Sequence, residues 1–297
     1  MRSETRSSFH RKKVRFAWGV LTPILIYYFL FGLLPIIVVI LLSFVEWNGL
    51  RFHEIEWVGL GNFQEFFTNA SYYRMLFNTI LMGAFNVGFS MVFGFVAALF
   101  LTQKIKGTTF YRTVWYIPTI VSMAVVSQIV STILNPDTGV LNTIIIRNGG
   151  EPILWQRSTG WMYFWIILVC VWKSLGGSML LFMAGLNAIP PEIYEAAAID
   201  GVNPFQKLFY ITLPNMRQMT SFVLITSLMG IFSLFEPIQI ISNGGPNGST
   251  KVIMYQIYDE AFGGNLRMGM SSAISVVVLI LVMAMTVLNM RLTKIKI

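Results

Sequence analysis

The chain has 297 residues, of which 55% are hydrophobic and only 11% charged, and its mean hydropathy is +0.67. A soluble domain carries about a quarter charged residues, so the composition excludes one and implies a multi-pass membrane protein. The formal charge of +8 flanks apolar runs and forms no basic face, which argues against nucleic acid as a partner, and the single Cys170 leaves no disulfide framework or thiolate metal site.

In chain order, Arg2, Arg6, Arg11, Lys12, Lys13 and Arg15 precede an apolar run from Phe16 to Val45. That run is about twice the length of a signal-peptide core and lacks an Ala-x-Ala cleavage site, so it reads as an uncleaved first transmembrane helix. Six segments exceed the roughly 20 residues needed to cross a hydrocarbon core. They lie at 17–44, 76–101, 110–134, 160–186, 217–242 and 270–290, and Pro23, Gly32 and Pro35 predict a kink in the first. With the N-terminus inside, the inner connections and tails hold fourteen Lys and Arg residues, including Lys104, Lys106, Arg112, Lys207, Arg217, Arg291, Lys294 and Lys296. The outer loops hold six: Arg51, Arg74, Arg147, Arg157, Lys251 and Arg267. Both termini are therefore expected in the cytoplasm.

Between the fourth and fifth segments lies a polar interruption, residues 190–214, PPEIYEAAAIDGVNPFQKLFYITLP. Pro191 suits a first helical position and Glu192 adds favourable charge to that turn. A short helix through Ile199 is expected, stopped by Gly201, with Asn203-Pro204 starting a second that Pro214 ends. Physics alone reads this as two short helices flat on a membrane face. The three alanines strip bulk from one surface, which lets another protein approach the backbone.

The spacing Glu195-Ala196-Ala197, then Gly201, then Ile211-x-Leu213-Pro214 resembles the EAA loop of binding-protein-dependent ABC importer permeases. In that family the loop is the helix that couples the permease to a cytoplasmic ATPase. Three further segments carry the resemblance toward the carbohydrate branch. Val58-Gly59-Leu60-Gly61-Asn62-Phe63 resembles the entry to the core domain of sugar permeases; residues 135–142, NPDTGVLN, resemble the family's G-x-L-N outer loop; and 242–250, SNGGPNGST, resembles its T-N-G-G-P loop. Each is otherwise a solvated turn.

Chemistry for catalysis is missing from the sequence. His10 and His53 are its only histidines, and no HExxH, CxxC or G-x-x-x-x-G-K-[ST] pattern occurs. Polar residues inside the apolar segments are candidates for function: Asn78 and Asn86 in the second, Gln128 in the third, Lys173 in the fourth, Glu236 and Gln239 in the fifth. Asn86 and Gln128 also read as interhelical hydrogen-bond glue. Phe232 and Phe235 stand near Glu236 and Gln239, a combination suited to a sugar path. Lys173 lies midway along its segment, too deep to snorkel, and a charge there costs roughly 2.5–3.5 kcal/mol. It is either a structural lysine bonded to backbone carbonyls or a neighbouring polar group, or a cavity cation that contacts substrate or a gate.

The resemblance implies an all-α integral membrane chain with the type I ABC importer permease fold. Residues 1–75 would hold the N-terminal tail, first helix and first outer loop, and 76–297 the permease core with the coupling loop at 190–214. It implies a multi-pass subunit of a bacterial or archaeal cytoplasmic membrane, surrounded by lipid, with no enzymatic activity and no cofactor of its own. ATP and Mg would sit on two partner ATPase subunits, beside a second homologous permease and an extracytoplasmic solute-binding protein. The cargo would be a sugar or oligosaccharide; an acidic sugar or sugar phosphate is the alternative. An ion-coupled secondary transporter is expected to show inverted repeats and discontinuous helices, and a lipid-linked glycosyl transferase clustered acids or histidines; neither pattern is visible.

Reporter fusions test the topology: those near residues 105, 205 and 295 are expected in the cytoplasm and those near 60, 148 and 255 outside. A cytoplasmic signal from the 242–250 loop overturns it.

Overall fold

Proline decides the path of the first apolar segment. In the computed structural model, which describes residues 2–103, 106–232, 234–264 and 266–293, helix α1 (Arg2–Tyr28) contains Pro23 and runs into a π-helical turn, Phe29–Leu33. Helix α2 (Leu34–Leu42) follows with Pro35 in its first turn. Pro35 cannot donate to the preceding turn and its ring presses on the carbonyl four residues earlier, so the ladder widens there into the π-turn. Lys104, Lys294 and Lys296 of the basic set lie outside the described residues.

The described residues form two compact units. The first comprises residues 1–68 and 260–277. After α2, strand β1 (Val45–Glu46) pairs antiparallel with β2 (Glu56–Trp57), Val45 opposite Trp57. Helix α3 (Gly61–Thr68) places the buried Asn62 so that its amide donates to the carbonyls of Ser43 (3.0 Å) and Val45 (2.9 Å). Arg267 grips Glu65 through both guanidinium nitrogens, and these hydrogen bonds hold the Glu65 carboxyl below the usual carboxylate range against the opposing effect of burial.

The second unit, residues 69–259 and 278–297, is built on two long helices, α4 (Ala70–Leu101) and α8 (Thr159–Asn187). They approach closely because small residues face each other: a Cβ on Gly94 would stand 2.8 Å from that of Ser178. Such contacts are the usual currency of helix association where lipid removes the hydrophobic drive. Helices α5 (Thr108–Ile120), α6 (Met123–Ile133) and α7 (Val140–Arg147) lie between α4 and α8 in sequence. The loop after α8 holds α9 (Pro191–Ile199), α10 (Pro204–Gln206), a π-turn Lys207–Thr212 and α11 (Leu213–Asn215), leading into α12 (Arg217–Ile231). Helices α13 (Ile253–Phe262) and α14 (Met268–Thr293) complete the chain.

Two predicted spans differ from expectation. Among the described residues, four helical segments are single, long and apolar enough to cross a membrane: 13–42, 70–101, 159–187 and 268–291. The third predicted span is instead α5 and α6, bent by 90° at Val121-Ser122, both of which are extended. In the fifth, α12 ends at Ile231, Leu234 and Phe235 are not helical, and helical form is described again from Glu236, ahead of Pro237, which has no N–H for the preceding turn. Discontinuous helices, taken above as the mark of a secondary transporter, are thus present here.

Buried asparagines fasten the loops. Asn142 (1% exposed) donates to the carbonyls of Pro136 and Ile153 and accepts from the Ile153 N–H and Trp155 Nε1, all at 3.0–3.1 Å. Asn78 donates to the carbonyls of Ser249 and Lys251 at 2.8 Å and accepts from Tyr163 Oη at 2.7 Å, which ties α4, α8 and the 242–250 loop together. Asn78 is therefore a structural clamp. Asn142→Leu should leave two donors and two acceptors without partners and cost about 3 kcal/mol or more. Thermal unfolding in detergent checks this; an unchanged midpoint refutes the role.

Candidate functional site

The two broken spans meet. Around α8 they border an open cavity of about 470 Å³ whose lining includes Asn86 and Ser90 of α4, Thr119 of α5, Met123 of α6, Lys173, Ser174 and Ser178 of α8, Thr226 and Ser227 of α12, and Glu236. Irregular backbone at membrane depth is tolerated only where it is buried in protein or lines a cavity, so the breaks and the cavity explain each other.

Lys173 carries out the backbone accounting at the first break. Its Nζ donates to the carbonyls of Thr119 (3.2 Å) and Val121, and Thr119 Oγ1 donates back to the Lys173 carbonyl at 3.0 Å. Those carbonyls belong to the end of α5, where no following turn supplies N–H donors. Gly176 makes the approach of α5 to α8 feasible, since a Cβ there would sit 2.6 Å from the Trp115 carbonyl oxygen. Of the two readings of Lys173, the geometry matches the carbonyl-bonded structural one, while leaving the residue on the cavity wall.

Three of the seven predicted path residues, Asn86, Lys173 and Glu236, converge on this cavity. Asn86 Oδ1 receives a long contact from Ser174 Oγ at 3.4 Å, the α4–α8 link expected of it. Gln128 is exposed on α6 and its side chain makes no hydrogen bond among the described residues, so it does not act as glue among them. Phe232 is buried, Phe235 packs on Tyr258 with ring centroids 4.8 Å apart, and neither they nor Gln239 reach the cavity lining. The hydroxyls of Ser90, Ser174, Thr226 and Ser227 escaped sequence reasoning because serine and threonine in apolar helices usually bond their own backbone.

The 190–214 loop follows its sequence signals up to Pro214. Gly201 has φ +71°, and a Cβ there would meet nothing within 4 Å, so the requirement is purely conformational. Asn203 and Gln206 form a reciprocal capping box with bonds of 2.8 and 3.1 Å. Pro214 itself stays helical, contrary to expectation, because the π-turn at Lys207–Thr212 absorbs its missing N–H; the helix ends one residue later, at Asn215, and a turn at Met216 leads into α12. Tyr194 holds the loop together, its hydroxyl 3.3 Å from Thr212 Oγ1 and its ring 4.4 Å from the Lys207 ammonium. Glu195, Ala196 and Pro214 are exposed, Ala197 is buried, and Ile211 and Leu213 are half-buried. Beside them Ile199, Phe205 and Tyr210 are 87%, 76% and 78% exposed, an apolar surface that the sequence reading did not single out.

A model of the family described as "Binding-protein-dependent transport system inner membrane component" matches residues 90–295. The probable ABC transporter permease protein YurN of Bacillus subtilis is 31% identical, over 92% of this chain and 94% of that protein. The sn-glycerol-3-phosphate transport system permease protein UgpA of Yersinia pestis is 30% identical over 80% of each. The arabinooligosaccharides transport system permease protein AraP of B. subtilis is 29% identical over 97% and 91%. A chain in the crystal structure of a bacterial ABC transporter involved in the import of the acidic polysaccharide alginate matches with a TM-score of 0.83 and 22% identity, covering 97% and 98%. This places the fold among ABC importer permeases.

Replacing Lys173 with Met leaves the Thr119 and Val121 carbonyls unpaired and should cost about 2–4 kcal/mol, whereas Arg, which keeps the donors, should lose less. Unfolding midpoints of the two variants, read side by side, are the check; Lys173→Met as stable as the parent refutes the structural role.

Proposed function

The chain belongs to the family of binding-protein-dependent transport system inner membrane components, and on that premise we propose that it forms one half of the translocation path of an ATP-driven importer for a sugar or oligosaccharide. It is a multi-pass permease of the cytoplasmic membrane in a family that transports sugars. The observation that carries the coupling part of the proposal is the 190–214 loop: a short helix with Glu195 and Ala196 exposed, braced by Tyr194 and followed by the exposed Ile199, Phe205 and Tyr210. Such a surface suits a protein partner, and a rigid loop transmits a push better than a soft one.

In this reading a second permease completes the path, two ATPase subunits bind ATP and Mg, and an extracytoplasmic binding protein delivers the cargo. Closure of the ATPase pair carries α9 with it, and the discontinuous spans around the 470 Å³ cavity change which side is open. ATP binding must favour one permease conformation through contacts made in that state alone, or nothing moves. The names of UgpA and of the alginate transporter support a second reading, an acidic sugar or sugar phosphate as cargo.

Gly201→Val places a β-branched residue at φ +71°, at a cost of about 1–3 kcal/mol localised at the elbow. Glu195→Lys reverses the exposed charge next to it. Both are expected to abolish uptake at normal expression, with hydrolysis uncoupled or ATPase attachment weakened. Normal uptake in both variants ends the coupling role.

A further inference from the structure

We propose that this cavity is built to pass a neutral, polyhydroxylated ligand and to turn away an anionic one, with Glu236 as its charged hydrogen-bond acceptor; this rests on the sugar-import reading above. Lys173 and Glu236 are the only charged side chains on the lining among the described residues. They differ in what they have left to give. Lys173 has two of its three protons directed at the carbonyls of Thr119 and Val121, and drawing the ammonium toward a ligand would strip both carbonyls at the α5–α6 break. Glu236 is half-buried, and its carboxylate forms no hydrogen bond or ion pair among the described residues. The cation is thus committed to the fold and the anion is available to the cavity.

A ligand entering here meets a free carboxylate, the Asn86 amide and a set of hydroxyls. Sugar hydroxyls donate to a carboxylate and exchange hydrogen bonds with serine and threonine in either direction. A uronate or phosphate would instead bring negative charge toward Glu236 in a medium that screens poorly; the Lys173 ammonium attracts it in turn, but can offer it only one remaining N–H without stripping the Thr119 and Val121 carbonyls. No aromatic ring lines the cavity among the described residues, so stacking does not hold the ligand in place. That suits passage, where a ligand must leave as readily as it enters, better than storage.

The test uses the intact importer, this permease with its partner permease, ATPase and binding protein, expressed in cells and given a radiolabelled panel. Neutral probes are arabinotriose, maltotriose and raffinose; anionic probes are trigalacturonate, glucose 6-phosphate and sn-glycerol 3-phosphate; amino acids serve as a third group. The best-transported probe should be neutral, with every anionic probe taken up at least about tenfold more slowly. Preferred uptake of an anionic probe overturns the inference and leaves carbohydrate import standing, whereas uptake confined to amino acids overturns both. In the same importer, Glu236→Gln should lower uptake of the preferred neutral sugar about tenfold, the loss expected for one hydrogen bond to a charged group. Complex assembly and sugar affinity of the binding protein should not change. Unchanged uptake by this variant overturns the role of Glu236.

Discussion

A backbone carbonyl in an apolar medium must find a donor, and at the end of α5 two of them find the same one. The Lys173 ammonium serves Thr119 and Val121, and the sharp turn between α5 and α6 depends on that service. Without it the third span has two ways to satisfy its backbone: straighten into one helix, or admit water. With it, the span can bend by 90° and open space beside α8. The cavity, its polar lining and the access of Glu236 to it all follow from a break that one side chain makes affordable.

The same rule governs the loops, with asparagine in place of lysine. Asn62 fastens the chain after α2, Asn142 the segments on either side of α7, and Asn78 the 242–250 loop, each by donating to two backbone carbonyls. Asparagine suits the task because its amide offers two donors and an acceptor without a charge to bury. The segments that resemble family signatures are, at these positions, devices for folding irregular backbone. The function they support is carried by what they hold in place.

Much of this was legible in the residues. The long apolar runs of α4, α8 and α14, the glycine elbow at Gly201 and the Asn203-Pro204 helix start are local signals, and the structure follows them. The break at Val121-Ser122 was not legible, because apolar composition is the same on both sides and the donor that permits it lies 52 residues away. The one after Ile231 had a signal in Glu236-Pro237 that was read only as a polar residue near a helix end. Pro214 misled for a related reason: a widened turn hides a missing N–H, and nothing in the sequence announces the widening. Among the path residues, Asn86, Lys173 and Glu236 came together, while Gln128, Phe232, Phe235 and Gln239 did not. Polarity marks a residue as unusual, but only the helix rotation decides which way it faces.

The pairing of Lys173 with the α5–α6 turn also constrains how this protein could have come about. A lysine introduced into a straight bundle would face the membrane interior with no carbonyl to receive it, and a turn introduced first would expose two carbonyls with no donor. Neither ancestor is comfortable alone. The bend and the charge are therefore best regarded as one inherited character, and a descendant that loses the lysine should be found with a third span that has gone straight.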